Sequence, residues 1–473
     1  MLYIGGAWVA KVYCGRRVLT SAYDAITDKN VVGVLSDIKN AHQANSAEID
    51  YLYRYYKGEQ PILYREKEVR PEICNTLVEN HAYEIVSFKT GYVFGEPIQY
   101  VRKSENVSED INGLTEKMML ANKPSVDKEM GEWAYIAGTS YRMVQAPDDD
   151  NPDALIDCLD PRHTFVVYST GFGRPPLMGG QFIKVKTEEG KDKEICSIYT
   201  STHYIEVEGD AVTQYAKHPL GGIPIIEYPA NSARLGAFEV VLPILDALNI
   251  VASNRLDGVE QFVQAFIKFI DCDISAADFA KLRDEGAIKV KSTEMHKADV
   301  DMITSELNQG QVQMLVDNLY QKMLVICGMP NRQGETRSTS DSGQAVLLRD
   351  GWSAAEARAR DTELTFKRSE RRFLDILLGI LKTNDGIVLN SRDIDIKFTR
   401  NRSDNLLVKS QGLQNILEAG VHPRNAFELC GLFSDHEKVF QDSAEYLEKW
   451  KEKEVQETPG NNKPFPPDEG GVI

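Results

Sequence analysis

Cysteine is scarce and scattered in this 473-residue chain. Its seven cysteines (Cys14, Cys74, Cys158, Cys196, Cys272, Cys327 and Cys430) include no CxxC pair and no neighbouring histidine cluster. That spacing excludes a disulfide framework and a zinc site, and it fits reduced, buried thiols in a cytosolic setting. Long apolar runs are missing too: none in the sequence approaches the roughly 18–20 residues that span a bilayer. Residues 1–10 are apolar, but no basic segment leads them, and Lys11, Arg16 and Arg17 follow. They read as ordinary chain rather than as a signal peptide.

Catalytic motifs are equally absent. A phosphate-cradling loop needs GxxxxGK followed by Ser or Thr; here Gly190-Lys191 precedes Asp192, in a turn between strands. HExxH and GxSxG do not occur. Eight histidines are spread along the chain and read as surface or satisfied polar residues. The acid pairs Asp299/Asp301 and Asp393/Asp395 are what remains for divalent-ion nuclease chemistry. The first pair falls between helices and the second alternates along one strand, so solvated faces account for both. The expectation is a protein with no catalytic residue, no metal and no cofactor.

Positive charge is the last scarcity: 54 Lys and Arg stand against 71 Asp and Glu, a formal net charge of −17. A protein that reads DNA sequence shows a basic face and a basic pI, so tight nucleic-acid binding is disfavoured. A protein past which DNA must slide is not. What the chain does have is core-forming material, 42% hydrophobic residues with 17 Phe and 20 Tyr. Its length exceeds one compact core and predicts two to four structural regions.

Along the chain, residues 36–57 read as a helix ending at Gly58, with Ile38, Ile49, Leu52, Tyr53 and Tyr56 as its apolar face. A second helix is predicted over 75–89, with Val78, Ala82, Ile85 and Val86 inward and Gly91 as its cap. Ile98 and Tyr100 begin a strand. Short alternating runs at 182–186, 194–199 and 203–207 predict an antiparallel meander, closed by Gly221-Gly222-Ile223-Pro224. From 235 to 270 the pattern is helical, on the order of 50 Å long, with Pro243 at a kink or first turn. Its apolar residues, Phe238 to Phe266 and Ile270 among them, fall on more than one face and so ask for more than one neighbour. A mixed segment at 271–307 holds a short helix (276–284) and a strand (287–291). Helix resumes at 309–327, and 328–342 is a loop by composition. One very long helix is predicted over 344–381, kinked at Gly351. A strand at 393–400 and helices at 404–419, 423–431 and 435–455 follow. The tail from 458 is rich in Pro and Gly and predicted disordered.

Two stretches are more specific than their composition. The first is Tyr55-Tyr56-Lys57-Gly58-Glu59-Gln60-Pro61-Ile62, then Asn80-His81-Ala82-Tyr83-Glu84-Ile85-Val86 and Gly91-Tyr92-Val93-Phe94-Gly95-Glu96-Pro97-Ile98. The second is Gly222-Ile223-Pro224-Ile225-Ile226-Glu227-Tyr228, then Asp246-Ala247-Leu248-Asn249 and Leu256-Asp257-Gly258-Val259-Glu260. Together with Ser342-Gly343-Gln344-Ala345-Val346 and Phe398-Thr399-Arg400-Asn401, they resemble the portal proteins of long-tailed double-stranded-DNA bacteriophages, in that family's order, over 36–455. Residues 1–35 match nothing in the pattern.

The resemblance implies an α+β, mostly helical portal fold. It would have an antiparallel β meander in a wing, long stem helices, a small mixed clip and a helical crown, assembled as a ring, usually of twelve. In those terms 1–35 is unassigned and 36–236 is wing. Stem helices lie at 237–270 and 308–327, with the clip at 271–307 between them. The tunnel loop is 328–342, a long wing helix and strand occupy 343–403, the crown 404–457 and the tail 458–473. The implied partners are other copies of the chain, the terminase large subunit, major capsid and scaffolding proteins, a head-completion or adaptor protein, and double-stranded DNA passing without sequence preference. No membrane is involved. The place is the portal vertex of the virion, after synthesis in the bacterial cytoplasm.

The residue types agree with a ring, because helices apolar on several faces need lateral partners. Twelve copies at −17 would repel DNA, so basic residues should be few and placed where DNA or a docking partner passes. Arg332 and Arg337, with the breakers Pro330 and Gly334, are the candidates in the tunnel loop. Lys289, Lys291 and Lys297 are those of the clip. Two other readings stay open: a structural head or connector protein without an axial DNA path, and a metal-dependent nucleic-acid enzyme served by the acid pairs.

Overall fold

The computed structural model describes residues 2–4, 7–9, 15–68, 70–103, 111–147, 153–186, 192–263, 266–270, 299–303, 309–331, 351–400, 406–430, 432, 439–443 and 446. The chain divides into two units, Met1–Gly95 with Ser108–Ser391, and Glu96–Val107 with Arg392–Ile473.

The larger unit opens with a two-stranded antiparallel pair, β1 (Leu2–Ile4) and β2 (Ala7–Val9). Its main sheet is the expected meander. β8 (Pro176–Lys186), β9 (Asp192–Tyr199), β10 (His203–Glu208) and β11 (Ala211–Lys217) follow β7 (Thr164–Ser169), all antiparallel, and β3 (Leu19–Ser21) lies parallel to β7 at the edge. Alternation puts Phe165, Val167, Met178, Cys196, Ile198, Ile205 and Val207 on one face, and helix α1 (Val31–Tyr56) covers it with Val31, Val34 and Ile38. Leu19 and Ile26 join the same core, so part of the unassigned segment 1–35 is integral to the sheet. A three-stranded antiparallel sheet, β12 (Ile225–Pro229), β5 (Thr139–Gln145) and β6 (Leu155–Leu159) in that order, packs Tyr141, Met143 and Ile225 on Val166 and Tyr168 of the first. Helices α2 (His81–Phe94), α3 (Ile111–Leu120), α4 (Lys123–Ala137), α5 (Leu242–Val263), α6 (Gln309–Cys327) and α7 (Trp352–Asn384) complete the unit, with a strand pair, β13 (Phe266–Ile270) and β14 (Asp299–Ile303), between α5 and α6. The smaller unit pairs β4 (Gln99–Arg102) with β15 (Ile394–Lys397) and adds α8 (Leu406–Glu418) and α9 (Pro423–Cys430).

Several sequence expectations are corrected. α1 starts at Val31, and its buried stripe takes Tyr55, while Tyr53 and Tyr56 are half-buried. α2 starts at His81, not 75, because the Asn80 side chain caps it by accepting the Tyr83 N–H. Gly91 is interior; the helix runs on to Phe94 because Tyr92, Val93 and Phe94 are all buried. Pro224 does not end the β region. It precedes β12, needs no donor there, and its carbonyl accepts the Val144 N–H at 3.1 Å. The stretch 235–270 is not one helix: a 3-10 turn at Glu239–Val241 leads into α5, Pro243 occupies the first turn, and Phe266 and Ile270 belong to β13. β-branched and aromatic side chains at Phe266-Ile267-Lys268-Phe269-Ile270 favour that strand. Asp299 and Asp301 do fall between helices, on the strand β14 that lies between α5 and α6. The expected elements at 276–284 and 287–291, helical residues 344–350 and the tail lie outside the described residues, as does most of 435–455.

Candidate functional site

The motif residues converge although they are far apart in sequence. At the end of α1 the Tyr55 hydroxyl donates to Asp246 of α5 at 2.9 Å. Gln60 donates to the Tyr55 carbonyl at 3.2 Å and to Asn80 at 3.0 Å, and accepts from Asn249 of α5. Asn249, Ser253 and Asp257 then accept the N–H groups of Glu79, Leu77 and Asn75 at 2.8, 2.9 and 2.8 Å. Four helical residues rise about 6 Å and two extended residues advance about 6.6 Å. That near-match lets one stripe of α5 satisfy alternate amides of a neighbouring segment, which is why 75–79 forms no helix. Asp257 also receives Lys67 and Arg65. Burial opposes its ionisation, but the hydrogen bonds from Lys67 and Asn75 outweigh burial and hold the carboxyl below the usual range.

α5 and α6 pack together and leave apolar side chains in solvent. Ile250, Leu256 and Val259 are exposed on α5, and on α6 Met314 is 72% and Val325 77% exposed.

At the far end of α6 the chain is fastened twice. Gly328 takes φ +65°, its N–H reaches the Val325 carbonyl at 3.1 Å, and the Met329 N–H reaches Leu324 at 2.8 Å. This is a Schellman closure, which needs the left-handed residue that glycine supplies. Lys89 of α2 donates to the Cys327 carbonyl at 2.7 Å; burial, with Arg358 nearby, pulls its ammonium below the usual range. The returning strand of chain is pinned at Gly351, φ +79°, where a side chain would lie 3.7 Å from the Cα of Pro330. Trp352 then packs on Tyr92 and Phe88, and the Tyr92 hydroxyl donates to Glu356 at 2.9 Å. Residues 331–350 therefore leave and return at one spot.

A buried charge cluster locks α7 to the body. Arg142 of β5 meets Glu370 of α7 at 2.8 Å and also Asp127 of α4; Lys123 reaches Asp127 at 2.6 Å and Glu370 at 3.0 Å. The Tyr228 hydroxyl donates to Glu370 at 2.8 Å, and the Arg142 guanidinium lies over the Tyr228 and Phe373 rings. Two cations and two anions balance, so none is left uncompensated. Beside it Glu227 accepts from Arg234 at 2.6 and 2.9 Å, Thr139 and Tyr168. Burial opposes ionisation of Glu227, but Arg234 prevails and keeps its carboxyl low.

In these arrangements the carboxylates of Asp257, Glu370 and Glu227 are engaged by cations and hold chain in place. Compared with protein families, residues 35–460 match that of the phage portal proteins, SPP1 Gp6-like. The chain belongs to that family. No curated protein matches it. The portal family is structural rather than enzymatic, and membership implies a phage portal function, capsid association at a virion vertex and an oligomeric ring. Among the described residues no cluster of His, Cys, Asp or Glu is built to hold a metal ion, and no helix is long and apolar enough to cross a membrane.

Of the site residues expected from sequence, Pro330 is described, and it is buried two residues beyond Gly328. Arg332, Gly334 and Arg337 lie outside the described residues, as do Lys289, Lys291 and Lys297. Sequence reasoning missed Lys123, Asp127, Arg142 and Glu370. The signals were an i, i+4 Lys–Asp pair and a lone arginine inside the apolar run of β5.

Proposed function

We propose that twelve copies form a ring whose axis carries double-stranded DNA during packaging and ejection. The α5–α6 pair is its stem, residues 271–307 are the clip, 328–342 the tunnel loop, 36–236 with α7 the wing and 404–457 the crown. The terminase large subunit docks on the clip during filling and a head-completion or adaptor protein replaces it; major capsid and scaffolding proteins surround the wing. The observation that carries this reading is α6 itself. One end is fed by the antiparallel pair β13–β14, which brings Ile270 opposite Asp299. The other end is the doubly fastened base at Gly328 and Gly351. Nineteen residues of helix, about 28 Å, separate a docking excursion from a channel excursion. Both ends of 331–350 are held on rigid elements, the usual arrangement of a functional loop. Arg332 and Arg337 touch passing phosphates without reading sequence.

The test exchanges Arg332 and Arg337 for Glu and, separately, deletes 333–340, then measures ring formation by electron microscopy and DNA packaging. Intact rings with packaging impaired in at least one variant are expected. Normal packaging in both removes the loop from the channel.

A further inference from the structure

The exposed side of α7 is basic in a chain that is strongly acidic. Between residues 358 and 372 it carries six Lys or Arg (Arg358, Arg360, Lys367, Arg368, Arg371, Arg372) against Asp361, Glu363 and Glu370, and Glu370 is spent on Arg142 and Lys123. Helical geometry turns Arg371 and Arg368 about 100° and 160° away from Glu370, and both are exposed. Neither has an ion-pair partner among the described residues. At the centre of this stripe Leu364 is 69% exposed.

A second surface has the opposite composition and the same plan. β6 is an edge strand of its sheet, and its alternation turns Leu155 and Asp157 outward, Leu155 being 45% exposed. Glu129 of α4 stands beside them. Partial burial, with Asp157 and Glu132 close by, pushes its carboxyl above the usual range, so these acids repel one another. Glu129 and Asp157 have no cationic partner among the described residues. Each surface is thus one exposed leucine flanked by two charges, of opposite sign on the two.

Their disposition suits a ring. Glu370 turns the inner side of α7 toward the buried charge cluster, and Asp127 turns the inner side of α4 toward it. Glu129 lies about 160° around α4 from Asp127. The basic stripe and the acidic ridge therefore face away from each other across that cluster. A ring of more than two copies needs two different complementary faces, because each subunit meets its neighbours head to tail.

We infer that the stripe Leu364, Arg368 and Arg371 of one subunit docks on the ridge Glu129, Leu155 and Asp157 of the next. This rests on the ring reading above. Facing charges fix register and steer encounter, and the two leucines are removed from water between them.

The test uses the full chain in 0.1 M salt, with assembly followed by native mass spectrometry and electron microscopy. Arg368→Glu/Arg371→Glu and Glu129→Lys/Asp157→Lys should each cut the assembled fraction at least tenfold, with the far-ultraviolet spectrum and unfolding midpoint of the monomer unchanged. The four substitutions combined should restore rings. Leu155→Cys with Leu364→Cys should give multimers on oxidation that neither single variant gives. Wild-type assembly by either charge variant, or no recovery on combining them, overturns the proposal. Normal rings from Arg368→Glu/Arg371→Glu with packaging lost also overturn it and assign the stripe to DNA phosphates. Absence of rings from the wild-type chain would refute the ring reading itself, a result the variants cannot mimic.

Discussion

Arg142 and Glu370 are 228 positions apart in sequence and 2.8 Å apart in space. Neither side chain is exposed, so each is the other's replacement for water. Glu370→Gln leaves Arg142 and Lys123 facing Asp127 alone. A loss of about 3–5 kcal/mol is expected, because breaking a buried pair strands a charge. Urea unfolding followed by circular dichroism measures it as a lower midpoint at unchanged slope. Replacing Lys123, Asp127, Arg142 and Glu370 together by apolar residues of like volume should cost far less.

His42 sits between α1 and the main sheet, against the rings of Phe165 and Phe182 at 5.3 and 5.0 Å. Burial, and then the neighbouring His163, lower its pKa from 6.5 to about 4. The folded protein therefore keeps His42 neutral while the unfolded chain takes up a proton below pH 6.5. Stability is lost as pH falls from there toward 4, by about 2 kcal/mol at pH 5. His42→Phe should remove that part of the loss. Thermal midpoints of both proteins at pH 7 and pH 5 check it: the gap between the two pH values should narrow in the variant.

Gly351 holds φ +79° with room for a side chain, so backbone strain alone penalises substitution. Gly351→Val should cost about 1–3 kcal/mol, and Gly351→Asn, which tolerates the left-handed region, distinctly less. Limited proteolysis within 331–350 is the second readout: cutting should be faster in the valine variant and near wild type in the asparagine variant.

Reversing Lys289, Lys291 and Lys297 to Glu is expected to weaken terminase binding while rings still form. Pull-down of the terminase large subunit by assembled rings measures this, and equal capture by the variant would take those lysines out of the docking surface.

Local pattern carried the elements whose partners are near in sequence. The strands β9 and β10 alternate between buried and more exposed positions, and α6 was legible to its last residue, Cys327, because Gly328 closes it. Boundaries failed where the deciding partner is remote. Residues 75–80 carry a helical pattern, yet their amides are claimed by α5 some 170–182 positions away. The run at 266–270 joined a helix on paper because β14, which pairs with it, lies across residues that carry no hairpin signal. For the site, motif residues such as Tyr55, Gln60, Asn80, Asn249 and Asp257 were visible as a resemblance, but not their meeting at one junction. The cluster around Arg142 and Glu370 left two local traces, the Lys123–Asp127 spacing and the arginine within β5, but nothing near Glu370 in the sequence points to a partner 228 positions away.

The stripe Asn249, Ser253 and Asp257 has a mechanical meaning. Three contacts spaced along one helix must slip together or not at all, since sliding α5 by a single residue turns the whole stripe about 100° away from the amides it serves. A push or pull along α5 therefore bears on Asn75, Leu77 and Glu79 together, and the Asn80 cap joins that segment to α2. The far part of α2, at Lys89, grips the Cys327 carbonyl at the end of α6. Force applied where β13 leaves α5 thus reaches the root of residues 331–350 by two routes, α6 directly and α5 by way of α2. Strain at one excursion can in this way be felt at the other without any rearrangement of the sheets.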